Sequence, residues 1–197
     1  MVEVASLRER KKEQTRVELT RAAVKLFRER GFENTTVDDI VDAADYSRST
    51  FFRYFGSKED VVFGEIPERM TALPALLRGI DAGGDPWLGA RKAVTGEIPH
   101  FADAQDLDEA VALWFSEPAL QRRYAEINLQ CEQMMASYFG AVWGVDPEVS
   151  VECQVAAAAA IGVARAALRV YRSDRAGVIV ALERGFDLLE GEIKFRS

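Results

Sequence analysis

Basic, hydroxyl and aromatic side chains are concentrated in one short stretch of this 197-residue chain, "ADYSRSTFFRYFGSK" at 44–58. From Tyr46 to Lys58 the stretch contains no acid, although the whole chain has a formal net charge of −7. Arginine and hydroxyl groups donate hydrogen bonds to base edges and to phosphate oxygens, which repel carboxylates. The stretch therefore indicates a surface that binds anionic groups.

The charges of the whole chain place such a surface in its first third. Residues 1–60 carry 12 Lys and Arg and 12 Asp and Glu, whereas residues 61–197 carry 13 and 20. The acidic total argues against a protein that coats nucleic acid or acidic membrane by bulk attraction. We therefore expect a local contact surface rather than a generally basic one.

The opening sequence and the cysteines predict a cytoplasmic location. "MVEVASLRERKKEQTR" is charged throughout, unlike a signal peptide, and Cys131 and Cys153 do not make a disulfide framework. No stretch approaches the roughly 20 apolar residues that span a bilayer. These features predict a reducing compartment and no membrane partner.

A catalytic constellation is not visible. His100, Cys131 and Cys153 lack the spacing of metal ligands. "GDPWLGAR" at 84–91 has two glycines spaced as in a phosphate-binding loop, but Ala90 and Arg91 stand where Lys and Ser or Thr are required. We predict no catalytic residues, no metal and no cofactor. A helical adaptor that binds only protein is the alternative outside the enzymes.

The sequence pattern predicts a set of helices in the N-terminal third. "RVELTRAAVKLFRERG" places apolar residues on one helical face, and Gly31 closes that helix. A second helix opens at Thr36 with a capping box, "TVDD", and a third is capped by Ser47. "SKED" predicts a fourth helix that starts at Ser57 and runs toward Leu77, interrupted or kinked at Pro67 and Pro74.

The remainder also reads as helix, and strand signals are absent. "RGIDAGGDP" at 78–86 is a linker, and helical segments follow near 87–101, 106–117, 118–143, 148–172 and 175–194. We predict an all-α fold, with a small N-terminal helical unit at 1–60. Residues 61–197 are predicted to form a larger helical bundle.

The second and third helices have the spacing of a helix-turn-helix, whose second short helix can enter the major groove. Arg48 suits bidentate contact with guanine, and the hydroxyls of Ser47, Ser49 and Thr50 suit bases or phosphates. Tyr46, Phe51 and Phe55 can anchor the helix from behind. A helical corner with solvated charges has the same spacing, so both interpretations stay open on spacing alone.

Residues 16–63 resemble the N-terminal domain of the TetR family of transcriptional regulators. The family's signature is a helix ending in Phe-x-x-x-Gly-Phe/Tyr, then Thr-Thr-Val-x-x-Ile, a Ser-capped short helix ending in Phe, and Ser-Lys. The residues in register are Phe27, Gly31, Phe32, Thr35, Thr36, Val37, Ile40, Ala44, Ser47, Thr50, Phe55, Ser57 and Lys58. The resemblance implies a regulator, commonly a repressor, that binds a palindromic operator as a homodimer. It implies a helix-turn-helix DNA-binding domain at 1–60 and a domain for effector binding and dimerisation at 61–197. It also implies phosphate contacts from Thr36, Thr50 and Lys58, and base contacts around Arg48 and Ser49.

Four positions depart from the family pattern. Asp45 replaces the usual turn glycine, and we expect the turn to survive because Asp tolerates a left-handed backbone. Phe52 replaces the usual Tyr and is expected only to pack, whereas Tyr54 restores a hydroxyl for phosphate two residues later. Ser49 replaces Gly and adds a polar group at a base-facing position.

The basic segment "RERKKEQTR" at 8–16 admits two interpretations. It could follow the DNA backbone or reach a minor groove, or it could be a frayed and solvated helix start.

Dimerisation is predicted to use the last two helices. "VAAAAAIGVARAALRVY" has small residues on several faces, which lets a partner helix approach closely, and the final segment has an apolar stripe. The stripe consists of Val178, Leu182, Phe186, Leu189 and Ile193. Two such helices from each subunit would form a four-helix interface. The alternative is that both helices pack only inside their own domain.

Large side chains on the middle helices are candidates for an effector pocket, although such residues more often belong to a core. The candidates are Trp87, His100, Phe101, Trp114, Phe115, Tyr124, Met134, Met135, Tyr138 and Trp143. "LWFSEPALQRRYAE" followed by "GVDPE" is similar to the C-terminal domains of regulators related to the mycofactocin-system regulator. That similarity is compatible with an acyl-CoA or another small lipophilic effector.

Overall fold

The computed structural model describes residues 7–64, 66–80, 84–102, 107–170 and 175–190. Within these ranges the chain forms α-helices and no strand, which confirms the all-α prediction. The α-helices are α1 (Leu7–Arg30), α2 (Val37–Ala44), α3 (Arg48–Tyr54), α4 (Ile66–Gly79), α5 (Pro86–Ala102), α6 (Leu107–Ser116), α7 (Pro118–Trp143), α8 (Val151–Val170) and α9 (Arg175–Glu190).

The chain divides into two compact units. The first comprises Met1–Pro67 together with Glu109–Arg123, and the second comprises Glu68–Asp108 together with Tyr124–Ser197. Most of α6 and the first residues of α7 thus belong with the N-terminal helices. The sequence-based division at residue 60 places this segment in the larger domain.

The core of the first unit forms where α1 packs against α2 and the segment after α3. Leu19 of α1, Ile40 of α2 and Phe51 of α3 are fully buried. At the end of α1, Gly31 has a φ of 84°, so the chain reverses there, and the Phe27 and Phe32 rings lie 5.0 Å apart. This reversal brings α2 alongside α1.

The predicted helix from Ser57 to Leu77 is not continuous. Ser57 Oγ accepts a hydrogen bond from the Asp60 N–H at 3.2 Å, but only a short 3-10 helix, Asp60–Phe63, follows. Gly64 has a φ of 56°, a left-handed conformation that ends the 3-10 helix before α4 begins at Ile66. The expected helix is therefore two elements, because a cap at Ser57 does not decide how far the helix extends.

The 3-10 helix is covered by α6. The Trp114 ring stacks on Phe63 with centroids 5.0 Å apart, and Trp114 Nε1–H donates to the Val62 carbonyl at 3.0 Å. Arg123 Nε lies 2.6 Å from Asp60 Oδ1 in a partly buried ion pair. These contacts explain why residues 109–123 belong to the first unit.

In the second unit, α5, α8 and α9 pack against one another. Three residues of the predicted apolar stripe of α9, Val178, Leu182 and Phe186, are buried in this unit, Leu189 is half-buried, and Ile193 lies outside the described residues. A Cβ placed on Gly185 of α9 would lie 2.7 Å from a Val163 methyl of α8, so the two helices approach closely at this glycine.

One helix of the described residues, α8 (Val151–Val170), is long and apolar enough to cross a membrane by length and composition alone. This differs from the expectation that no stretch approaches that length. Half of the helix is buried inside the protein, and a core helix of a soluble protein passes the same test. We therefore treat α8 as a core helix.

Candidate DNA-binding surface

The turn between α2 and α3 depends on Asp45. This residue adopts the left-handed conformation, with φ 57° and ψ 44°, and ends α2. The Tyr46 N–H donates to the Val41 carbonyl at 2.9 Å and completes the turn. The expectation that Asp in place of the usual glycine preserves the turn is confirmed.

Hydroxyl groups cap both helices of the helix-turn-helix, as the sequence predicts. Thr36 Oγ1 accepts from the Asp39 N–H at 3.2 Å, while Asp39 Oδ2 accepts from the Thr36 N–H at 2.8 Å. Hydrogen bonds from the Thr36 side chain and backbone hold the pKa of Asp39 below its ordinary value. Ser47 Oγ accepts from the Thr50 N–H at 3.1 Å. Thr36 and Ser47 are both exposed, so each presents a polar helix start to solvent.

Aromatic residues hold α3 from behind. Phe51 and Phe55 are buried, with ring centroids 5.4 Å apart. The Tyr46 hydroxyl donates to the Glu18 carboxylate of α1, and this hydrogen bond lowers the pKa of Glu18. The predicted anchoring residues therefore fix α3 against the rest of the unit.

The outer side of α3 carries the candidate base-reading residues. Arg48 and Ser49 are exposed, and Thr50 and Tyr54 are half-buried. Phe52 is expected to pack without contacting phosphate; its ring meets Phe51 edge to face, although the residue is 48% exposed. It lies on the same outer side because α3 buries Phe51 and Phe55 instead. An apolar ring therefore accompanies the polar groups on this side.

Arg48 is paired with an acid that the sequence analysis did not connect to it. Its Nη1 donates to both carboxylate oxygens of Asp38 on α2, at 2.9 and 2.8 Å. The guanidinium also lies over the Phe52 ring, 5.7 Å from its centroid. Ten residues separate the two charges in the chain, so only the folded turn brings them together.

Lys58 lies against two carbonyl groups. Its Nζ donates to Phe32 O at 2.8 Å and to Thr35 O at 3.0 Å, and it sits 4.0 Å from the Phe32 ring centroid. The side chain is partly buried and ties the segment after α3 to the loop before α2. The family resemblance implies only a phosphate contact for this ammonium.

The basic segment at 8–16 ends in a buried cation. Arg16 is only 2% exposed, and its guanidinium lies 5.8 Å from the centroids of the Tyr54 and Phe55 rings. Residues 10–14 are exposed and helical within α1. No sequence signal separates Arg16 from its solvated basic neighbours, because its burial depends on where α3 packs.

The candidates for an effector pocket fall into several places. Trp87 is buried in the second unit, with its ring centroid 6.3 Å from Phe139 and 5.4 Å from Phe186. Tyr124, Met134 and Tyr138 of α7 are half-buried in the same unit. Trp114 instead lies in the core of the first unit. The side chains of His100 and Phe101 lie outside those that the structure describes.

One side of α7 is poorly solvated. Tyr124, Cys131 and Tyr138 are seven residues apart, a spacing that puts them on one side of a helix. Burial raises the pKa of Tyr124 and of Tyr138, and it raises the pKa of the Cys131 thiol to about 12. All three groups are therefore neutral at pH 7. Among the described residues, no group of three or more His, Cys, Asp or Glu could hold a metal ion.

The capped α2, left-handed turn and exposed α3 define a helix-turn-helix protein, the class that places its second helix in the major groove. The family model described as "Bacterial regulatory proteins, tetR family" matches residues 19–63, and one described as "MftR C-terminal domain" matches residues 85–194. The chain is also 31% identical to the HTH-type transcriptional regulator TcmR of Streptomyces glaucescens, over 95% of this chain and 88% of TcmR. It therefore belongs to the TetR family of DNA-binding transcriptional regulators, a non-enzymatic class.

Solved structures show the same fold at low sequence identity. Thermus thermophilus FadR, a TetR-family transcriptional repressor in complex with lauroyl-CoA, is 24% identical with a TM-score of 0.56, covering 92% of this chain and 97% of FadR. A transcriptional regulator from Aquifex aeolicus is 15% identical with a TM-score of 0.58, covering 89% of this chain and 99% of that chain. These likenesses agree with the all-helical assignment.

Proposed function

We propose that this regulator is a cytoplasmic, homodimeric repressor that binds a palindromic operator and is released by a small lipophilic effector. The observation that carries the DNA-binding part is α3 itself. The helix has no acid, it is anchored by buried aromatic rings, and it carries Arg48 and Ser49 on its exposed side. Two copies of α3 in successive major grooves require half-sites about 10 base pairs apart, or multiples of that spacing.

Within this proposal, the contacts to DNA divide by chemistry. Thr36, Ser47 and Thr50 present hydroxyls at helix starts, where the peptide dipoles also favour phosphate. Tyr54 adds a phenol on the same unit. Arg48 and Ser49 read bases. Lys58 has three ammonium donors, of which two carbonyls take two, so the third can contact phosphate.

The outer sides of α8 and α9 support the homodimer. Val151, Val155 and Val170 of α8 are exposed, as are Val180 and Leu188 of α9. Apart from the adjoining residues and backbone of α8, a Cβ on Gly162 would meet no atom of the described residues within 4 Å. Apolar side chains around an open glycine let a helix of a second copy approach closely. The buried stripe of α9 packs within its own unit, so a dimer contact uses the exposed residues instead.

The poorly solvated side of α7 supports a lipophilic effector. Tyr124 and Tyr138 are neutral there and offer hydroxyls, and Met134 adds an adaptable apolar surface. The lauroyl-CoA bound by Thermus thermophilus FadR suggests a probe. If the effector is lipophilic, lauroyl-CoA should raise the melting temperature and release the DNA, whereas free CoA should do neither.

Footprinting on the DNA flanking the chain's own gene tests the operator. We expect a protected palindrome, and transcription from a promoter that overlaps it should fall when the protein is added. Absence of a sequence-specific footprint at moderate salt, with and without lauroyl-CoA, would contradict the proposal.

Arg48→Ala tests the base contact. The substitution should cost ~1–3 kcal/mol on the operator and much less on random DNA, because only the operator offers the matching guanine. Ser137→Ala, on an exposed part of α7, is a control outside the first unit. Equal losses of affinity on operator and random DNA would show that Arg48 contacts only the backbone.

A further inference from the structure

The ion pair between Asp38 and Arg48 lies where α2 and α3 meet on the exposed side of the helix-turn-helix. Asp38 stands in the first turn of α2, and Arg48 is the first residue of α3. Both side chains are more than half exposed, at 58% and 60%. A carboxylate in this place is unexpected on a surface that approaches phosphates.

The helix dipole favours an acid such as Asp38 in the first turn of α2, but its pairing with Arg48 is explained neither by fold stability nor by capping. Exposed ion pairs contribute little to folding, because water and salt screen them. The capping box of α2 is made by Asp39, whose carboxylate accepts the Thr36 N–H. What Asp38 does contact is the guanidinium of Arg48, so its effect falls on the arginine.

Arg48 is restrained on two sides. Its Nη1 is engaged by both oxygens of Asp38, and its guanidinium lies over the Phe52 ring. Phe52 is held in turn by the buried Phe51, with an edge-to-face geometry and centroids 5.3 Å apart. Only Nη1 is used by the carboxylate, which leaves the Nε–H and Nη2–H groups for a bidentate contact.

We propose that Asp38 is a specificity-determining residue that positions Arg48 for one base and withholds it from phosphates. This inference rests on the proposed function, in which α3 enters the major groove. Restricting the arginine to few rotamers lowers the entropy lost when it meets the correct guanine. Neutralising its charge removes a phosphate contact that would favour every sequence equally.

The test compares Asp38→Ala with Asp42→Ala, each in the wild-type chain and in Arg48→Ala. Asp42 is an exposed acid on the same helix, so its loss makes the same change of net charge without freeing Arg48. Affinities for the footprinted operator and for random DNA are measured over a series of salt concentrations. The melting temperature of Asp38→Ala should change by less than about 4 °C, since the pair is exposed.

Asp38→Ala should bind random DNA more tightly, and the slope of log affinity against log salt should steepen by about one ion. The ratio of operator to random affinity should fall by roughly tenfold, because the guanine contact loses its orientation. Asp42→Ala should shift both affinities alike. In the Arg48→Ala background, Asp38→Ala should behave like Asp42→Ala.

Two results would overturn the inference. One is that Asp38→Ala and Asp42→Ala have the same salt slope and the same affinity ratio; the other is that the effect of Asp38→Ala persists without Arg48. The random-DNA salt slope separates this failure from failure of the proposed function. If no operator exists, that slope still reports whether Asp38 neutralises Arg48. If an operator exists and the slopes agree, only the role of Asp38 is wrong.

Discussion

Single residues of the first unit differ in how far they depend on tertiary structure. Local backbone contacts define the roles of Thr36, Asp45 and Ser47, which cap a helix or form the turn. These roles follow from residue type and local spacing. Lys58 acts across 26 and 23 residues, on the carbonyls of Phe32 and Thr35. Its structural contacts become visible only when the loops are brought together.

Lys58→Met should therefore destabilise the protein as well as weaken DNA binding. Methionine keeps the packing on Phe32 but leaves two carbonyls without their charged donor, so we expect a loss of ~1–3 kcal/mol in the free energy of unfolding. Chemical denaturation measures this loss. Lys25→Met, at an exposed position on α1, is the control and should be near neutral.

The salt dependence of the same variant separates the two roles of Lys58. If the ammonium also contacts a phosphate, the salt slope of Lys58→Met should flatten by about one ion relative to Lys25→Met. Unchanged stability combined with a flattened slope would show that the carbonyl contacts do not matter energetically.

At the scale of elements, most helices were predictable and their groupings were not. Helical periodicity, caps and glycines indicate α2, α3 and the long C-terminal helices to within a few residues, whereas α1 begins at Leu7, nine residues before the predicted start at Arg16. The break at Gly64 was missed because Ser57 offers a valid cap whichever kind of helix follows. The attachment of residues 109–123 to the first unit was also missed, since it depends on contacts of Trp114 and Arg123 with residues more than 50 positions away in the chain.

Trp114→Phe tests that attachment. Phenylalanine can still stack on Phe63, but the Val62 carbonyl loses its donor, and the cost should be ~1–3 kcal/mol. Hydrogen exchange should then accelerate in the 3-10 helix and α1, while protection of α8 and α9 stays unchanged. Trp143→Phe in the second unit is the control. It should accelerate hydrogen exchange in the second unit and leave protection of the 3-10 helix and α1 unchanged. Loss of protection confined to α8 and α9 in Trp114→Phe would contradict the assignment.

At the scale of the whole molecule, two glycines have different roles: Gly185 allows α9 to pack on α8, and Gly162 lies on the side proposed for the dimer contact. Gly162 of α8 faces open space among the described residues, whereas a Cβ on Gly185 of α9 would collide with Val163. From the sequence both are small residues in apolar helices, and nothing local distinguishes them. The difference depends on which side of α8 meets α9.

Gly162→Leu should convert the proposed dimer into a folded monomer. The leucine has room within the chain, but it would occupy the space that a partner helix needs. Sedimentation should show the monomer, circular dichroism should show retained helix, and operator affinity should fall because two half-sites are no longer held together. Gly185→Ala should instead lower the melting temperature. A dimeric Gly162→Leu would place the subunit contact elsewhere.

Both cysteines of the chain lie in the second unit. Because they are buried, their rate of alkylation reports local opening of that unit. The sulfurs of Cys131 and Cys153 are enclosed, and the Cys131 thiol barely ionises below its pKa of about 12. Alkylating reagents attack the thiolate, so they can modify these side chains only during moments when the surrounding helices separate. The rate of alkylation in the native protein thus measures how often the second unit opens locally. A ligand that tightens the packing of the second unit would lower the alkylation rate, even where no absorbance or fluorescence signal changes.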